Sequence, residues 1–149
     1  MKNTSVFILI CLTATLLFTG CGYNVFPEKS TYTVTQNTSS PASLPASSNP
    51  SLVAEAFKDR IIFFLDQKEW AVFQVVKPHP CPDRVPCPPR PCEPVNLCNK
   101  IKLSIKSKNP MLVFESQGYS LDLKLESAGT AYKNFIDKSP NTEFLLTMK

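Results

Sequence analysis

From Pro78 to Cys98 the chain holds eight of its 14 prolines and four of its six cysteines. Proline fixes φ near about −65° and carries no N–H, so neither a helix nor a central strand can run through this stretch. It must be a loop, and any folded unit is built from what lies on either side of it. Its cysteines are Cys81, Cys87, Cys92 and Cys98, with five, four and five residues between them. Metal knuckles set paired ligands about two to four residues apart, which these gaps do not match. An even, clustered set reads instead as disulfides, with three connectivities open to four cysteines. We expect the nested pairing Cys81–Cys98 and Cys87–Cys92, because strands approach the loop from both sides. Closing the loop in this way would contribute about 3 kcal/mol. A stapled, proline-stiffened backbone also loses little entropy on binding, which makes Arg84, Pro88, Pro89 and Arg90 candidate binding residues. His79, the single histidine, has no motif that would pair it with a nucleophile. Asp83 and Glu93 sit beside Arg84 and Arg90 as surface ion-pair partners. The chain carries no G-x-S-x-G, H-E-x-x-H or S-x-x-K pattern, and a non-enzyme with no cofactor is expected.

The amino terminus fixes the compartment. Lys2 precedes an apolar run from Val6, too short for the roughly 20 residues that cross a bilayer and suited to an export signal. Cys11 lies inside that run, and the oxidising space beyond the cytoplasm agrees with disulfides in the remainder. The run closes on Leu17-Phe18-Thr19-Gly20-Cys21. This resembles the lipobox of bacterial lipoproteins, with Thr19 and Gly20 matching the motif and Phe18 where leucine is usual. The resemblance implies removal of residues 1–20 and diacylglycerol on the thiol of Cys21. It also implies sorting to the outer membrane, facing the periplasm, because Gly22 rather than aspartate follows the lipidated cysteine. Two acyl chains make such an attachment stable where one is marginal. The formal net charge of +4 gives no electrostatic case for nucleic acid as a partner.

Residues 21–50 are rich in Ser, Thr, Asn and Pro, with Thr31-Tyr32-Thr33-Val34-Thr35 as a strand-like island. They read as a lipid anchor and flexible tether spanning roughly 30 Å as a coil and about 90 Å extended. Residues 51–149 read as one small domain carrying the loop 78–98. Asn49-Pro50 suits a helix start, and Val53, Phe57, Ile61 and Phe64 recur at helical spacing, predicting a helix over 51–67; Ile61 to Leu65 also fits a buried strand. Trp70 to Val76 is β-rich. Ile101, Leu103 and Ile105 alternate with lysines, Asn109-Pro110 and Gln117-Gly118 mark turns, and Leu121, Leu123 and Leu125 alternate again before a last strand near Glu143 to Met148. The expected fold is α+β, a small antiparallel sheet of four or five strands with one packed helix and the disulfide-stapled loop. Lys100, Lys102, Lys106 and Lys108 read as a solvated strand face, with Asp122 and Glu126 as cross-strand partners.

Ser127-Ala128-Gly129-Thr130-Ala131-Tyr132, after the hairpin at Gln117-Gly118, resembles the loop that membrane-bound lysozyme-inhibitor lipoproteins present from a small β-barrel. That resemblance implies a lysozyme inhibitor as the alternative function. The anchor, the single domain and the missing catalytic motifs favour a membrane-anchored, non-enzymatic binding or assembly component with an envelope protein as partner.

Overall fold

A computed structural model describes residues 24–37, 51–76, 92 and 98–149. Eight antiparallel strands close into a barrel: β1 (Phe26–Gln36), β2 (Leu52–Lys58), β3 (Arg60–Leu65), β4 (Lys68–Val75), β5 (Lys100–Lys106), β6 (Asn109–Phe114), β7 (Tyr119–Ala128) and β8 (Thr142–Met148). Around the barrel they run β1-β2-β3-β4-β7-β6-β5-β8, and β8 returns to pair with β1. One helix among the described residues, α1 (Thr130–Lys138), joins β7 to β8. This corrects the expected α+β fold. The sheet has eight strands rather than four or five, it closes on itself, and the helix lies outside 51–67.

The segment 51–67 is a hairpin because its second periodicity wins. Leu52, Ala54 and Ala56 are buried on one side of β2, and Ile61 and Phe63 on the matching side of β3. Lys58 turns the chain with φ +57° and Phe57 pairs with Arg60. Of the residues that carried the helical reading, Ile61 is buried, Val53 and Phe64 are half-buried on the wall, and Phe57 is exposed. The strand-like island of the tether belongs to β1. There Tyr32 and Val34 point into the core while Thr33 and Thr35 face out, and the strand pairs with β2 on one side and β8 on the other. The remainder of the expected tether lies outside the described residues.

Turn positions also shift. Ser107 and Lys108 take φ +50° and +68° and connect β5 to β6, so Asn109 and Pro110 begin β6 instead of forming the turn. Asp66 and Gln67, at φ +49° and +67°, close β3 to β4 in the same way. Paired positive φ values give the hairpin turn whose twist matches the strands. At the β6–β7 connection Gly118, with φ +70°, occupies the left-handed region where a side chain is strained.

Aromatic rings fill the lumen. Trp70, 2% exposed, meets Tyr132, Phe135, Phe144 and Phe63 edge-on at centroid distances of 5.0, 5.5, 5.9 and 6.5 Å. Tyr132, Phe135 and Ile136 occupy one face of α1 at helical spacing, so the helix stoppers one end of the barrel against Trp70. Burial pushes the phenols of Tyr132 and Tyr32 up to about 12, with the Ser30 hydroxyl pulling Tyr32 slightly back. Trp70→Ala should lower stability by about 3–5 kcal/mol in denaturant unfolding, in line with emptying a large aromatic site. A loss under about 1 kcal/mol would remove Trp70 from the centre of the core.

Candidate functional site

Alternating strand direction sorts the chain between two ends. At one end lie the start of β1, the β2–β3 turn, the end of β4, the start of β5, the β6–β7 turn and the end of β8. The helix and the turns at 66–67 and 107–108 lie at the other. The described chain begins at Asn24, three residues after Cys21. Phe26 already pairs with Lys58 of the β2–β3 turn. The end of β4 and the start of β5, with the Cys92–Cys98 disulfide before it, lie at this first end.

The wall there carries a groove of about 610 Å³ lined by Lys29, Glu55, Phe57, Lys58, Asp59, Arg60 and Ile62. It exists because β1 slips register against β2 between Phe26 and Ser30, which opens the wall beside Phe57. Phe57 points outward and is 46% exposed, and the ammonium of Lys58 sits 5.1 Å from its ring centroid. Lys29 reaches Glu55 at 2.8 Å. Arg60 grips Glu126 with both Nε and Nη2, at 3.0 and 3.1 Å. Val75 N–H donates to the Asp59 carbonyl at 2.7 Å, which brings Val76, 49% exposed, beside the same turn. Exposed apolar side chains fringed by charges of both signs make a surface suited to contact, with no nucleophile among the described lining residues.

Cys92 and Cys98 form a disulfide, both buried, with Cα atoms 5.2 Å apart. This corrects the nested pairing: Cys98 takes Cys92 in place of Cys81, and Cys92 is thereby unavailable to Cys87. Six residues of separation allow the link to close at the foot of β5, a local pairing that counting alone could not select. Cys21, Cys81, Cys87, Arg84, Pro88, Pro89 and Arg90 lie outside the described residues, as does His79.

The lysines of β5 and of the turn after it are paired differently from the expectation. Lys102 bridges to Glu115 and lies 4.0 Å from Glu143, and the Glu115 contact raises its pKa. Lys108 meets Asp137 at 2.7 Å, while Glu126 goes to Arg60. The Ser127 to Tyr132 motif is divided between elements. Ser127 and Ala128 end β7, Gly129 caps α1, and Tyr132 is buried against Trp70 and Phe73. A smaller recess of about 210 Å³ opens at the helix end, lined by Asn37, Ser104, Ile105, Lys106, Asn141, Thr142 and Glu143.

The sequence reading missed Phe57, Lys58, Arg60, Lys29 and Val76 as a group. Alternation of Leu52, Ala54 and Ala56 was the signal that leaves Phe57 on the opposite face. No protein family, curated protein or solved structure matches the chain.

A non-reduced digest of the purified protein should release a peptide pair joined through Cys92 and Cys98, and reduction should cost about 2 kcal/mol of stability for so short a loop. A peptide joining Cys81 to Cys98 would restore the nested pairing.

Proposed function

We propose that the chain is an envelope lipoprotein, held to the outer membrane by lipid on Cys21, whose barrel acts as a non-enzymatic binding or assembly component for another envelope protein. The observation that carries this reading is the packed lumen. Trp70, Phe63, Phe73, Tyr132, Phe135 and Phe144 occupy the space in which a larger barrel would hold a small ligand. Recognition therefore falls to the outer wall and the two ends. The wall itself is charged, with Lys29, Glu55, Arg60, Lys102 and Glu126 on it, and the lumen is apolar. A membrane-spanning barrel has the reverse arrangement, an apolar belt outside and polar groups within. Attachment through Cys21 is consistent with a barrel of this polarity, since the wall needs no lipid around it.

A lysozyme inhibitor is the second reading, favoured by the closed small barrel that the resembling family also has. Against it, Tyr132 of the matching motif is spent on the core.

Two measurements test the main reading. Native protein should float with outer-membrane markers, and Cys21→Ser should lose both its acyl mass and that association. A photo-crosslinker placed in living cells at exposed Ala131 or Lys133, on the helix end, should capture an envelope protein. Capture of lipid alone would sink the assembly reading, and inhibition of lysozyme in a lysis assay would favour the second.

A further inference from the structure

We infer that the exposed Phe57, Lys58 and Val76, at the end of the barrel where the chain enters, form a docking surface for an anionic bilayer. The inference rests on the proposed lipidation of Cys21. Only Gly22 and Tyr23 stand between Cys21 and Asn24, and the three Cα–Cα steps across them span no more than about 11 Å. A lipid on Cys21 thus holds this end of the barrel at the headgroups, in place of the long reach that a tether over 21–50 would allow.

What the end presents fits that neighbour. Among the described residues Phe57 and Val76 are the two most exposed large apolar side chains, at 46% and 49%, and the Val75–Asp59 hydrogen bond holds them beside one turn. Lys58 lies over the Phe57 ring, and Lys29 and Arg60 flank it. Gln74 pairs with both Arg60 and Lys124, extending the same outward row with another cation. Asp59 lines the same groove, and Glu55 and Glu126 hold Lys29 and Arg60 at the wall, so that Lys58 and Lys124 are the cations in excess beside Phe57; the Lys29 and Arg60 pairs are surface pairs. Such pairs are worth about 0–1 kcal/mol, no more than the roughly 1 kcal/mol a cation gains near an anionic leaflet. The cations can therefore exchange carboxylate for phosphate at little cost. The helix end, with its charged α1 face, then points away from the bilayer toward the partner.

The test uses the full mature chain in vesicles of phosphatidylethanolamine and phosphatidylglycerol with brominated acyl chains. Phe57→Trp adds an indole at the docking end, and Ala131→Trp adds one at the helix end, while native Trp70 is shielded in the lumen. Mass spectrometry reports acylation of the same samples. Docking predicts quenching of the Phe57→Trp indole and none of the Ala131→Trp indole. In the unlipidated Cys21→Ser chain, Lys58→Glu should weaken partitioning onto these vesicles by at least about tenfold, with an unchanged melting curve. Acylated protein with an unquenched Phe57→Trp indole overturns the docking surface and leaves the anchor standing. Quenching without acylation supports the surface and removes the anchor, and neither signal overturns both. Equal quenching at the two positions means a barrel lying on its side, and a vesicle-free dimer dissolved by Phe57→Asp means a second copy covers the patch; each overturns the proposal.

Discussion

The pairing of β1 with both β2 and β8 is the constraint on which the rest of this structure depends. Without it the other strands form an open sheet with two bare edges, each a row of unpaired N–H and C=O groups. With it the sheet closes, and closure defines an inside. Thr35 lies 110 residues from Leu145, whose carbonyl it approaches across the β1–β8 seam. The contact is thus among the most non-local in the fold, and its loop-closure entropy must be met before any of its hydrogen bonds form.

An inside of this size has to be filled, and the rings around Trp70 do so. Edge-to-face pairs each contribute about 0.5–1.5 kcal/mol beyond the area they bury. Trp70 takes part in four of them, reaching β3, α1 and β8 at once. The same packing explains why α1 exists where it does. A nine-residue helix is too short to stand alone in water, and its stability comes from seating Tyr132, Phe135 and Ile136 in the barrel mouth. Filling the lumen also moves function outward, to the wall and the ends. Under the proposed lipidation of Cys21, closure by β1 would also decide which end meets the membrane, because the strand that completes the barrel begins close behind the candidate lipid site.

Much of the sheet was legible in the sequence. Ile101, Leu103 and Ile105 alternate as read and are all buried, and Gln117-Gly118 turns the chain as expected. What was not legible has specific causes. The segment 51–67 satisfies two periods at once, and the choice between them was made by partners in β1 and β4 rather than by local preference. The turns at Asp66-Gln67 and Ser107-Lys108 use left-handed residues without the Asn-Gly or Asp-Gly pair that would announce them. In β1, Tyr32 and Val34 carried a correct local signal, but Ser, Thr and Pro around them gave the composition of a tether, and both partner strands lie across a loop or at the far end of the chain. The exposed position of Phe57 was hidden for the same reason, since Phe57 reads as core in a helix and as surface only in a strand. The pairing of Cys92 with Cys98 was one of three connectivities that the spacing left equal.

Amide hydrogen exchange along β1 tests the central claim most directly. If β1 closes the barrel, the amides of residues 31–36 that pair with β2 and β8 exchange as slowly as those of β8 itself, through opening of the whole domain. Rapid exchange across 26–36 with slow exchange in β2 to β8 would contradict it. That outcome would return this segment to a tether and remove the ground for placing the barrel end beside the proposed lipid anchor.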